Sequence, residues 1–310
     1  MIGNEYHIPV LYYETLENLV MNEDGVYIDC TLGGGSHSEG ILSRLSDKGL
    51  LISIDQDENA IEFSKKRLEK YKDKWKVFKG NFEDVDMIAY MAGVDKVDGI
   101  LMDIGVSSSQ LDDPARGFSY RYNTKLDMRM NVENKISAYD VVNNYSEEEL
   151  VRILFEYGEE RFAKKIAYFI CENRKEKPIE TTFELVQIIK RAYPARASKH
   201  PAKKTFQAIR IEVNRELEVL KVAIKKASKL LKSGGRLSII TFHSLEDRIV
   251  KNMFRDLATV CKCPKDIPIC VCGGKEEYKL LTRKPIIPLD EELEKNNRAH
   301  SSKLRILEKI

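Results

Sequence analysis

Cysteine is scarce in this sequence, six in 310 residues. That is too few to staple a chain of this length, so a disulfide scaffold is excluded and a reducing compartment, the cytoplasm, is expected. Long apolar runs are lacking too. Nothing approaches the ~18 consecutive apolar residues of a spanning helix, so no membrane partner is expected. The opening, MIGNEYHIPVLYYE, has no basic stretch followed by an apolar core, which argues against a secretory signal. Net charge of either sign is also small: 51 Lys and Arg stand against 49 Asp and Glu, leaving +2. A polycationic surface is thereby excluded, and a local basic patch remains possible. What is present is ordinary globular material, 43% apolar and 32% charged, in a chain long enough for one large domain or two smaller ones.

The first third alternates. VYIDCTL (26–32), LLISID (50–55), KVFKGN (76–81) and DGILMDIGV (98–106) are short apolar or β-branched runs that end in Gly, Asp, Asn or Ser-rich turns. Stretches with helical spacing lie between them, such as 58–70. This rhythm predicts βαβ units on a parallel sheet, an α/β fold with helices on both faces. From 137 to 231 the pattern is helical, with a capping box at Ser146 and Glu149 and breaks at Pro178 and Pro194. Apolar residues from Phe206 to Leu231 recur at steps of three and four, which predicts one long helix ended by Gly234 and Gly235. GGRLSIITF (234–242) then resumes the strand pattern, SLEDRIVKNMF starts a helix, and KLRILEKI closes like a final strand. The expected organisation is a discontinuous α/β domain, 1–112 with 216–310, carrying an inserted helical domain at 113–215.

Four strand ends carry the chemistry. After the first strand comes Asp29-Cys-Thr-Leu-Gly33-Gly34-Gly35-Ser36-His37-Ser38, where glycines let the backbone approach a ligand at a helix N-terminus. The dinucleotide fingerprint needs a third glycine where Ser38 stands, and the phosphate-loop lysine is missing. Asp55, about 20 residues after the glycines, suits a ribose diol. Phe82 follows the third strand and could lie against adenine, and Asp103 ends the fourth. Together they describe the crevice outside the carboxyl ends of a parallel sheet and fit S-adenosylmethionine better than NAD.

Beyond Asp103 the loop to Asp112 is rich in Ser and Gly. RGFSYRYNTKLDMRM (116–130) mixes Arg116, Arg121 and Arg129 with Phe118, Tyr120 and Tyr122, a pattern suited to phosphates and unstacked bases. The segment 190–215 holds eight basic residues, Lys203, Lys204 and Arg210 among them, against one acid, Glu212. It reads as a phosphate-binding surface. His243 lies at a strand end where it could touch substrate, while Ser244 reads as a helix N-cap with Asp247 at the third helical position. Cys261, Cys263, Cys270 and Cys272 form two CxC pairs, unlike the usual CxxC zinc knuckle; reduced thiols are favoured, and no metal is assigned.

HIPVLYYE (7–14), DCTLGGGSHSEGIL (29–42), DIGVSSSQLDDPARGFSY (103–120), LDMRM (126–130), HPAKKTFQAIRIEVNREL (200–217), GGRLSIITFHSLEDR (234–248) and NNRAHSSKLR (296–305) together resemble the bacterial small-subunit ribosomal RNA cytosine-N4 methyltransferases of the RsmH/MraW family. The resemblance runs from one end of the chain to the other. It implies a class I S-adenosylmethionine-dependent methyltransferase fold, Rossmann-like, with an inserted helical domain. The implied activity is methylation of a decoding-region cytidine of 16S rRNA, with the small ribosomal subunit as the expected setting of that RNA. Its cofactor contacts fall on Gly33, Gly35, Ser36, His37, Asp55, Phe82, Asp103 and Gln110. Where the family commonly has Gly-Gly-His, this chain has Gly35-Ser36-His37, and serine serves there if its φ is negative. Asp103, or the backbone after it, is expected to accept from the target amine, with a ring of the 118–122 loop on the flipped base. Rival readings are a methyltransferase of DNA or protein, and an adenosine-binding RNA clamp without chemistry.

Overall fold

The computed structural model describes residues 9–194, 200–261, 263 and 273–310. By its internal contacts the chain divides into two compact units, Met1–Gly105 with Leu217–Ile310, and Val106–Glu216. The breaks fall at Gly105 and Leu217, against 112 and 216 in the reading above.

In chain order the first unit begins α1 (Tyr12–Leu19), β1 (Val26–Asp29), α2 (Ser36–Arg44), β2 (Leu50–Asp55), α3 (Glu58–Arg67), β3 (Trp75–Lys79), α4 (Val85–Met91) and β4 (Val97–Asp103). The second unit holds α5 (Ser108–Asp112), α6 (Ala138–Asn144), α7 (Glu147–Glu156), α8 (Ala163–Glu176), α9 (Thr182–Ala192) and α10 (Ala202–Asn214). The chain returns through α11 (Glu216–Leu230), β5 (Leu231–Thr241), α12 (Ser244–Leu257), β6 (Tyr278–Leu280), α13 (Asp290–Lys295) and β7 (Lys303–Lys309).

Among the described residues the strands form one seven-stranded sheet in the order β3-β2-β1-β4-β5-β7-β6. β1 to β5 run parallel and β7 is antiparallel to both its neighbours. Side chains alternate across it. Ile28, Ile52, Ile100 and Ile239 enter a core with Val85 and Ile88 of α4, Leu220 and Ile224 of α11, and Val250 and Phe254 of α12. Their neighbours Tyr27, Leu51, Leu101 and Ile240 enter a second core with Leu16 and Leu19 of α1 and Ile41 and Leu42 of α2. Near-continuous apolar strands are what burial on both faces requires. The order reverses direction between β1 and β4, and the crevice at such a switch point is where ligands bind.

The second unit packs its helices around Ile153, Leu154, Ile166, Ile170, Leu185, Ile189, Phe206 and Ile209. Capping boxes start α6 (Ser137 with Asp140), α7 (Ser146 with Glu149) and α9 (Thr181 with Glu184).

Two expectations need correction. The long helix from Phe206 is two helices. α10 ends at Arg215, which takes φ +51°, and α11 begins at Glu216. Apolar periodicity continues across the break, so spacing alone cannot show it. The glycine pair does not end α11 either; the helix stops at Leu230, and Gly234 (φ +79°) and Gly235 lie within β5 where the β4–β5 register shifts.

Candidate functional site

The glycine loop is built by its neighbours. Gly33 (φ +49°) and Gly35 (φ +76°) both occupy the left-handed region that disfavours L side chains. A Cβ on Gly35 would also sit 3.0 Å from Ser64 Oγ. Gly35 is the N-cap of α2, so Ser36 is its first helical residue and Ser36 is not among the positive-φ positions. A serine at this position therefore carries no left-handed backbone strain. Ser38 occupies the third-glycine position and has a task of its own. Its hydroxyl, fully buried, donates to Asp29 Oδ2 at 2.7 Å and lies 2.8 Å from Ser53 Oγ, which also accepts from Trp75 Nε1. A hydroxyl tying β1 to β2 replaces the close glycine packing of a dinucleotide site.

Around this loop stand carboxyl groups. Asp55 Oδ2 accepts from Gly33 N at 2.8 Å and Oδ1 from Asp57 N at 2.9 Å. Burial pushes its pKa up to about 6, partly offset by those two amides, so it is ionised at neutral pH. Asp103 lies across the switch point. Its N–H donates to Thr31 Oγ1 at 2.7 Å, and its Oδ2 is 3.5 Å from His37 Nδ1. Among the described residues its Oδ1 is buried with no hydrogen-bond partner. Burial first, then the charges of Asp29 and Glu246, push its pKa up to about 8. Asp29 itself is fully buried and shifted upward by burial. An acidic crevice of this kind favours a cation and disfavours a pyrophosphate. Phe82 follows β3 in a short 3₁₀ turn, half-buried, and the preceding Asn81 Nδ2 reaches Gln56 Oε1 after β2.

Gly33, Gly35, Ser36, His37, Asp55, Phe82 and Asp103 thus share the carboxyl-end edge of one unit. Gln110 belongs to the other unit, where it is buried and its Oε1 accepts from Ser107 N at 3.2 Å. The structure gives His243 a local task in the fold. It is the N-cap of α12: its Nδ1 accepts from Glu246 N at 3.4 Å, and Glu246 returns a bond to His243 N. The cap is one residue earlier than Ser244, because His243 is extended and Ser244 already helical. Sequence reasoning also passed over Thr31, Arg67 and Glu246. Of these Thr31 had a signal, since a hydroxyl two residues after a buried strand-end aspartate is placed to bridge to the next strand.

The residues expected to grip RNA divide sharply. Phe118 is a core residue of the second unit. Arg116 Nη2 donates to the carbonyls of Arg129 and Met130, both at 3.0 Å. Arg129 grips Asp127 with two donors and donates to the carbonyls of Val132 and Asn134 at 2.8 Å. Arg210 forms a two-pronged pair with Glu216 at 2.7 and 2.8 Å. Tyr120 stacks on His200, ring centroids 4.3 Å apart. These side chains build the unit, because a guanidinium fork satisfies several backbone carbonyls at once. Lys203 and Lys204 are exposed, Lys204 donating to Glu159 O at 2.6 Å, and Tyr122 is 43% exposed. Arg196, Lys199, Cys270 and Cys272 lie outside the described residues, so the basic segment is seen in part and the cysteine set is not seen whole. Arg129→Ala is expected to lower stability by about 2 kcal/mol, since it strands a carboxylate and two carbonyls. Thermal melting checks this, and an unchanged melting temperature would return Arg129 to the surface role.

A model of the MraW methylase family matches residues 4–310. A protein of Fusobacterium nucleatum named ribosomal RNA small subunit methyltransferase H is 79% identical over 309 residues, covering 100% of this chain and 98% of that one. Proteins of the same name from Clostridioides difficile and Clostridium botulinum are 55% and 57% identical, each covering 98% of this chain and 99% of their own.

Proposed function

Since the chain belongs to the MraW methylase family, we propose that it transfers a methyl group from S-adenosylmethionine to the exocyclic N4 of a cytidine in the decoding region of 16S rRNA. The observation that carries this reading is Asp103, whose Oδ1 is buried and, among the described residues, without a hydrogen-bond partner, set at the switch point beside a left-handed glycine loop. The fold is the class I methyltransferase fold expected, and its crevice fits the cofactor by chemistry. Asp55 offers ionised oxygens to a diol, the loop offers backbone at a helix start, and the carboxyl cluster favours a sulfonium. Bound there, the cofactor supplies an electrophilic methyl.

The chain's own part is to orient and to hold protons. A cytosine amine is a poor nucleophile, its lone pair delocalised into the ring, so it must be held in line and its N–H groups must find acceptors. Asp103 Oδ1 is such an acceptor once ionised. The proton can leave after transfer, and no covalent intermediate is needed. The first unit acts as the methyltransferase domain and the second as the substrate-recognition domain. Lys203 and Lys204 serve phosphates, and Tyr122, the exposed ring of the 118–122 loop, serves the base. The partner is 16S rRNA in the small ribosomal subunit, in the cytoplasm. Among the described residues no helix is long and apolar enough to cross a membrane.

A cation favours the carboxylate of Asp103 over its acid. Binding of S-adenosylmethionine near pH 7 is therefore expected to release roughly one proton, and its affinity to rise with pH toward 8. S-adenosylhomocysteine, the neutral thioether, releases none. Calorimetry in two buffers of different ionisation heat measures this; equal proton release for both ligands would remove Asp103 from the methyl-donor side. Competition among small subunits, naked 16S rRNA, DNA and protein as acceptors tests the substrate class. Labelling of DNA or protein in preference to RNA, or RNA binding without transfer, overturns the reading.

A further inference from the structure

Arg67, the last residue of α3, lies outside every motif the sequence presents as functional, yet it reaches the glycine loop. One edge of its guanidinium is fixed on the first turn of α2: Nε lies 2.9 Å from Glu39 Oε2, and Nη2 is at the same distance. The other edge holds the loop. Nη1 donates to Gly34 O at 2.8 Å and to Ser36 Oγ at 2.9 Å. Lys70 approaches the second oxygen of Glu39 at 3.2 Å, so the carboxylate is held in place between two cations. α3 makes one further bond to this loop, from Ser64 Oγ to Gly33 O at 2.9 Å.

We propose that Arg67 is a positioning residue for the cofactor loop, and that Ser36 is the side chain through which this chain couples the loop to it. A loop with two residues in the left-handed region has many alternatives in the free protein, and glycines do little to exclude them. Fixing the carbonyls of Gly33 and Gly34 toward α3 sets the direction of the peptide groups between them before any ligand arrives. A ligand then meets a loop already ordered, and the ordering entropy is not charged against binding. A glycine at position 36 would leave Nη1 with one acceptor on the loop; the serine hydroxyl adds a second at the first helical residue. A planar fork is needed, because one group must serve Glu39 on one side and two loop oxygens on the other. A lysine ammonium could keep the ion pair without spanning both.

The inference rests on the cofactor reading above. It predicts an effect on affinity rather than on the chemical step, and a coupling between two residues that a merely structural role would not produce. The test is calorimetric titration of S-adenosylhomocysteine into the full-length protein and into Arg67→Met, Arg67→Lys, Ser36→Ala and the double variant Arg67→Met with Ser36→Ala. Turnover is measured alongside at saturating S-adenosylmethionine. Arg67→Met is expected to weaken binding about tenfold and Ser36→Ala about threefold, the range for charge-assisted and weaker hydrogen bonds. The double variant binds no more weakly than Arg67→Met, and in Arg67→Met and Arg67→Lys the loss falls on Kd, with kcat at saturating S-adenosylmethionine within about twofold of the parent. Arg67→Lys falls between parent and Arg67→Met.

Unchanged affinity in Arg67→Met overturns the inference. So do independent, multiplying effects in the double variant, or a fall in melting temperature with Kd unmoved. If Arg67→Met does not fold, Arg67→Lys and Ser36→Ala decide: parent-like affinity in both refutes the role. If the parent itself binds no S-adenosylhomocysteine, the cofactor reading fails, and that outcome is distinct from a parent that binds and a variant that binds equally well.

Discussion

Asp103→Asn is expected to be more stable than the parent at alkaline pH and to lose about a thousandfold in turnover. The two effects have one cause. In the folded protein the Asp103 carboxyl is 15% exposed and its pKa is pushed up to about 8, against an ordinary value of 3.8. The folded state therefore holds a proton that the unfolded chain gives up. This group's contribution to stability is fully present below about pH 4 and is lost as pH rises through about 8. Asparagine keeps the shape and never ionises, so the stability it restores grows across that window to on the order of 2 kcal/mol, several degrees in melting temperature. Catalysis moves the other way. The carboxylate offers acceptors to an amine, whereas the carboxamide turns N–H donors toward the same N–H groups. Losses on removing a group that handles the reacting proton run about 10²–10⁴-fold. Melting curves at pH 5 and pH 9, with single-turnover rates, measure both effects. A variant no more stable than the parent at pH 9 and fully active would show that Asp103 is an ordinary surface carboxylate.

The second large effect concerns Gly35. Gly35→Ala forces an L side chain to φ +76° and brings its Cβ to 3.0 Å from Ser64 Oγ. The backbone strain alone is about 1–2 kcal/mol, and the contact with Ser64 pushes α3 from the loop it holds. A displacement near 1 Å at a positioning element can cost about a hundredfold in efficiency. Gly93→Ala is the matched control, because Gly93 has φ +78° and nothing within 4 Å of an added Cβ. Both variants are expected to lose a few degrees of stability, and Gly35→Ala alone to lose cofactor binding and kcat/KM. Equal activity in the two would mean that the loop's conformation is not read by a ligand.

Much of the crevice was legible in the sequence because its parts are local. A β-branched run followed by glycines gives strand, turn and helix start within about ten residues, and Asp55 and Asp103 are strand ends whatever surrounds them. The parallel sheet followed from the same rhythm. What could not be read depended on distant partners. Arg116 and Arg129 look like phosphate ligands in a stretch of arginines and aromatics, but each donates to backbone carbonyls within residues 129–134, and Arg129 also to the Asp127 carboxylate, partners whose orientation no spacing reveals. Phe118 shares the composition of a stacking ring and is core. Arg67 sits in a helix that reads as plain amphipathic, and its reach to Gly34 and Ser36 spans more than 30 residues of sequence. The break at Arg215 was hidden because apolar periodicity survives a single left-handed residue.

Where the methyl group goes decides the function. The direct measurement is to incubate the protein with isotope-labelled S-adenosylmethionine and small ribosomal subunits from cells lacking the enzyme, then digest the RNA and identify the labelled nucleoside by mass spectrometry. Label is expected in N4-methylated cytidine, in one position, and is lost in Asp103→Asn. Label in another nucleoside, or none from a protein that binds the cofactor, would contradict it.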